Sequence, residues 1–162
     1  MIPQQWKRYF IIVASILVAL ILSVYPLPLG IRWWRPEFVL LVAIYWMSAF
    51  PETISLLFLC VVGLFQDLLE AVPLGQHGLS LVIVAYICIQ SHQRVSNFSV
   101  WKEAGWIFVL VGVQQLASNW VQSLTARPLS GLIFLGPAFT SALVWPFFRI
   151  GLDKVSGHYR IN

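Results

Sequence analysis

Apolar runs recur along this chain, and most of the charged residues fall between them or at their ends. The run FIIVASILVALILSV over residues 10–24 does not alternate with period two, which excludes a barrel strand and favours a helix. Divided at the prolines, glycines and charges, the chain predicts helical spans over about 10–29, 36–50, 53–71, 76–91, 104–124 and 132–152. Pro36 suits a first helical turn, and Glu37 suits the positive end of a helix dipole. Pro51 ends the second span, Pro73 and Gly75 make the turn before the fourth, and residues 92–103 form a polar loop. Arg127, Pro128, Ser130 and Gly131 make the last turn, and Pro137 and Pro146 are expected to kink the sixth span.

Composition turns this pattern into a class. Of 162 residues 59% are hydrophobic and 10% charged, with mean hydropathy +0.82, whereas soluble domains carry about 25% charged residues. The expected fold is an all-α membrane protein, with six transmembrane helices forming one domain over residues 1–162. Trp6, Lys7, Arg8 and Tyr9 ahead of the first run resemble the start of a signal peptide. No small-residue cleavage site follows, so the run reads as a retained first helix.

Charge then gives orientation. With the N-terminus in the cytoplasm, Lys7, Arg8, Arg94, Lys102, Arg149, Lys154 and Arg160 lie inside, and Arg32, Arg35 and Arg127 outside. The positive-inside rule therefore places both termini in the cytoplasm. Trp6, Trp46, Trp101 and Trp145 then fall near the inner interface, with Trp33 and Trp34 near the outer. The net charge of +4 is scattered over span ends rather than gathered in a basic arm, which argues against nucleic acid as a partner. Cys60 and Cys88 sit in apolar runs and read as small buried side chains, without metal-ligand spacing.

Candidate chemistry begins with residues 54–79, ISLLFLCVVGLFQDLLEAVPLGQHGL, where Gln66, Asp67 and Glu70 interrupt an otherwise apolar run. An acid within a membrane-length apolar segment is costly unless paired, protonated or facing a wet cavity. Arg35, at the outer end of the second span, falls at similar depth and is the expected partner of Asp67. On the fifth span Gln114, Ser118 and Gln122, with Gln115 and Asn119, make a polar stripe facing the same outer half. Two readings stay open: interhelical hydrogen bonds that tie the helices together, or a water-filled outer pocket with Arg35 and Asp67 on its wall. A proton relay through Asp67 lacks an acid or His deep in the inner half. His77 is expected to face headgroups, with donation toward Glu70 as the alternative, and Gly75, Gly78, Gly105 and Gly112 to permit close helix approach.

The chain carries no phosphate-binding Gly loop, HExxH or GxSxG motif, and its three His residues are spread over both sides of the membrane. No enzyme, cofactor or metal site is therefore expected. RPEFVLLVAIYWMSAFP over 35–51, GLFQDLL over 63–69 and PLGQHGLSLVIVAYI over 73–87 resemble the rod shape-determining protein MreD family. Arg35 and Pro36 match its RP pair, Tyr45 and Trp46 its YW pair, Asp67 its acid, and Leu74 and Gly75 its LG pair.

The resemblance implies a non-catalytic, multi-pass subunit of the bacterial inner (cytoplasmic) membrane, in the complex that builds lateral cell wall. It implies MreC as direct partner, with RodA, a transpeptidase and MreB in the same complex and lipids around it. It also implies an architecture similar to the substrate-binding subunits of energy-coupling-factor vitamin transporters. The alternative function is accordingly a small-molecule or lipid binding membrane protein of that kind. Two departures are visible: Ala71 stands where the family often has Gly, and Glu52 and Thr53 stand where it often has basic residues.

Overall fold

The computed structural model describes residues 4–26, 28, 34–95, 98–125 and 135–160. Among the described residues there are six helices and no strand: α1 (Gln4–Val24), α2 (Phe38–Ala49), α3 (Leu56–Glu70), α4 (Gln76–Val95), α5 (Val100–Leu124) and α6 (Gly136–Arg160). All six expected helices are present, with shifted ends. α1 begins at Gln4, so Lys7 and Arg8 ride on the helix rather than ahead of it. Most of the expected 92–103 loop is helical, because α4 continues to Val95 and α5 starts at Val100 after Ser99. α6 extends beyond residue 152 to Arg160. The turn expected at 127–131, together with Arg32 and Trp33, lies outside the described residues.

Local sequence explains the observed ends. Ser55 caps α3, its side-chain oxygen accepting from the Phe58 N–H at 3.1 Å. α3 stops at Ala71, which takes the left-handed conformation at φ 53°. Pro36 and Glu37 flank α2 rather than opening it; the helix starts at Phe38, whose N–H reaches the Pro36 carbonyl at 3.0 Å. Pro137 falls in the first turn of α6, where its missing N–H removes no helical bond. Pro146 lies inside that helix.

α2 organises the packing. Every residue from Val39 to Met47 is buried, which explains why this helix is apolar on all faces instead of striped. Its neighbours in the core are α1, α4 and α6. At 12 residues α2 is about 18 Å long, against a hydrocarbon core of about 30 Å. α1 is the opposite case, with large exposed apolar residues such as Phe10, Leu17 and Ile21. Among the described residues it is the one helix long and apolar enough to cross a membrane, over Trp6–Val24.

Two tryptophans assigned from sequence to the inner interface are instead core residues. Trp46 is 2% exposed and donates from Nε1 to the Ser15 hydroxyl at 2.8 Å. Trp145 is also buried and donates to Glu103 at 3.3 Å. Trp6 and Trp101 are exposed.

Candidate functional site

Helix direction decides which polar residues meet. Glu37 before α2 touches Ser141 near the start of α6, and Tyr45 near the end of α2 touches Ser156 near the end of α6. These two helices run parallel. α5 runs against α2, because Glu37 meets Gln114 and Gln115 from its second half. α3 and α4 are antiparallel neighbours closed by the 71–75 turn. One end of the bundle thereby gathers Arg35, Glu37, Asp67, His77, Gln115 and Ser141. The other gathers Glu103, Arg149, Asp153 and Ser156.

At the first end the close approach of two helices builds the site. A Cβ on Gly63 would lie 2.5 Å from the Gly78 Cα and 2.7 Å from the His77 carbonyl carbon, so only glycine fits at this crossing. Backbone contact between α3 and α4 brings the start of α4 onto Asp67, one turn along α3. Asp67 is 0% exposed. Its Oδ2 accepts the Gly75 N–H at 2.8 Å, with the Gly78 N–H at 3.5 Å. Its Oδ1 accepts the His77 N–H at 2.8 Å and lies 2.9 Å from His77 Nδ1. The carboxylate therefore acts as the cap of α4, at the positive end of that helix dipole. Gly75 supplies the backbone that aims these N–H groups, at φ 94°.

This geometry corrects the expected Arg35–Asp67 pair. The group paired with Asp67 is His77, from the following helix, and the Arg35 guanidinium Nη2 donates to the Leu22 carbonyl at the end of α1. His77 does not face headgroups: it is 5% exposed, and its Nε2 lies 3.8 Å from Glu70. Gln66 is buried and donates to Glu70 at 2.9 Å. With Asp67 sealed at every atom, it does not line a water-filled opening, which corrects the pocket reading at that residue.

A second tie at the same end involves Glu37, which the sequence offered only as a favourable helix-end charge. Its carboxylate accepts from Gln115 Nε2 at 2.7 Å and Gln114 Nε2 at 3.4 Å, and its N–H donates to the Ser141 hydroxyl at 3.0 Å. α2, α5 and α6 thus converge on one residue. Gln115 is half-buried, and Asn119, also half-buried, lies one turn further along α5. The Gln66, Gln76 and Gln114 side-chain carbonyls and the Ser118 hydroxyl are buried without a hydrogen-bond partner among the described residues. Gly105 and Gly112 are not approach points among the described residues, since a Cβ at either meets none of them within 4 Å.

Tyr45 and Trp46, adjacent on α2, fasten it in two directions. Tyr45 donates to Asp153 at 2.8 Å and touches Ser156 on α6, while Trp46 reaches Ser15 on α1. Pro36 stands between the two tie residues Arg35 and Glu37. No sequence signal pointed to Ser141, Asp153 or Ser156. They lie more than a hundred residues from Glu37 and Tyr45, so nothing local in the sequence links them.

Comparison with known proteins agrees with this reading of the motifs. The family model described as rod shape-determining protein MreD matches residues 4–155. The chain is 29% identical over 156 residues to the rod shape-determining protein MreD of Haemophilus influenzae, covering 96% of each chain. No solved structure matches. The match runs from the start of α1 into the last two turns of α6, and the chain belongs to the MreD family of rod shape-determining proteins.

Proposed function

We propose that this protein is a non-catalytic integral membrane subunit of the bacterial cell-wall elongation complex. It maintains rod shape by binding MreC and by scaffolding lateral peptidoglycan synthesis alongside RodA, a transpeptidase and MreB. In this reading the six helices are six spans of the inner membrane, with both termini cytoplasmic. Membership of the family supports the role in rod shape. The observation that carries the scaffold reading is the sealed Asp67. The most costly polar group in the spans is used entirely to tie α3 to α4, and the apolar exterior is left for partners and lipid.

The test is Asp67→Ala at native expression, with Arg35→Ala beside it. The expected result is rounded cells and reduced co-purification of MreC. Normal rods with unchanged MreC recovery sink the proposal. Site-specific crosslinking from each helix to MreC then locates the contact face and checks the span topology.

A second reading, a small-molecule or lipid binder resembling a transporter substrate-binding subunit, is favoured by one observation. A cavity of about 160 Å³ opens at the Arg149 end, away from Asp67.

A further inference from the structure

The cavity at the Arg149 end lies where the end of α2, the end of α4, the start of α5 and the second half of α6 meet. Its charged groups are arranged unequally. Glu103 is the inner acid: it accepts from Arg149 Nη1 and from Trp145, and its side chain is 13% exposed. Asp153 and Arg149 are the outer groups, with side chains 45% and 32% exposed, and Arg149 Nε stands 3.7 Å from Asp153 Oδ2. Tyr45 holds the other Asp153 oxygen at 2.8 Å. One carboxylate edge and one guanidinium edge are thus fixed side by side and remain accessible. Ser48 and His92 join the lining, and Trp106 and Ile107 form an apolar wall.

A cavity with adjacent accessible charges of opposite sign complements a compact zwitterion. An ammonium offers three donors to a carboxylate and nearby hydroxyls, and a phosphate accepts from a guanidinium. About 160 Å³ equals roughly five water volumes, enough for a two-carbon amine joined to a phosphate, and a primary ammonium has the N–H donors that a trimethylated amine lacks. In the topology proposed above, on which this inference rests, the cavity lies at the cytoplasmic headgroup layer. Basic residues Arg94, Lys102 and Lys154 and the exposed Trp101 flank this end, as at a membrane interface. Zwitterionic headgroups are concentrated in that layer. We propose that the cavity binds the headgroup of an aminophospholipid of the phosphatidylethanolamine type, its ammonium on Asp153 and its phosphate on Arg149.

The test uses the purified full-length protein in detergent with equimolar phosphatidylethanolamine, phosphatidylcholine and phosphatidylglycerol, and measures retained lipid by native mass spectrometry. Wild-type protein is expected to prefer phosphatidylethanolamine by about tenfold, the effect of one charge-assisted contact. Asp153→Asn is expected to bring the preference to near unity, and Ser48→Leu, which fills the cavity from an exposed position on α2, to do the same. Asp153→Glu should keep it. Equal retention of the three lipids, or an undiminished preference in Asp153→Asn, overturns the proposal. So does binding of free phosphoethanolamine as tight as that of the lipid, which would assign a soluble ligand. Capture of a lysine-bearing peptide without lipid preference, which would assign a protein partner, overturns it too. Sidedness is read separately, by impermeant maleimide labelling of Ser48→Cys in a Cys60→Ala, Cys88→Ala background. The detergent measurement does not depend on orientation, so a topology error and a site error give different results.

Discussion

Gly63→Ala is the sharpest perturbation the structure offers, because two effects of known size oppose each other there. Replacing Gly by Ala in a helix interior favours the helix by about 1 kcal/mol. Against this, the added methyl would sit 2.5 to 2.7 Å from three backbone atoms of His77 and Gly78, none of which can rotate away. Restoring ordinary contact requires α4 to retreat by about 0.8 Å, and overpacking of this kind costs about 1–3 kcal/mol. The same retreat stretches the 2.8 Å bonds from Gly75 and His77 to Asp67 towards about 3.6 Å, beyond hydrogen-bond range. Each lost bond to a charged acceptor removes a further 1.5–3 kcal/mol or so. The clash wins, and the expected net destabilisation is about 3–8 kcal/mol when both bonds are lost. Gly112→Ala is the control: its methyl meets nothing within 4 Å among the described residues, so only the favourable helix effect remains. Thermal unfolding in one detergent, followed by circular dichroism, compares the pair. If Gly63→Ala melts at or above Gly112→Ala, the α3–α4 crossing is not as tight as described and the account of Asp67 fails with it.

Ala71→Gly should stabilise the protein by about 1 kcal/mol, because Ala71 holds the left-handed conformation that glycine adopts without strain; an unchanged or lower melting temperature contradicts this. Glu37→Ala should cost about 1–3 kcal/mol by leaving the Gln114 and Gln115 amides without their acceptor, while Glu37→Gln keeps an acceptor and costs less. Equal melting temperatures for those two variants would show that Glu37 does not tie α5 to α2. Tyr45→Phe should lower stability by about 1 kcal/mol through loss of the bonds to Asp153 and Ser156, and no change in denaturant midpoint would refute that role.

Periodicity and proline placement made the six helices legible, because each apolar run is a property of neighbouring residues. The importance of Asp67 was legible for the same reason: an acid in an apolar run demands a partner wherever the helices lie. Its partner was not. Depth along the membrane pointed to Arg35, but the chain turns back after Ala71 and delivers the free N–H groups of α4 before any side chain from α2 arrives. A local turn outcompeted a matching charge. The role of Gly63 was not legible because its significance depends on Gly78 across the crossing. Tyr45 and Trp46 stood out only by resemblance, since the serines and the acid they bond to come from α1 and α6.

The ties on α2 also bear on how the protein is made. Ribosomes deliver α2 early, yet its Glu37 and Tyr45 fastenings on α6 belong to the last helix synthesised. Until that helix emerges, one flank of the central helix lacks the partner it has in the finished fold. The nascent protein therefore waits half-closed through most of its translation. Stop codons placed within α6, before Asp153, should leave chains that reach the membrane but are removed by its quality-control proteases.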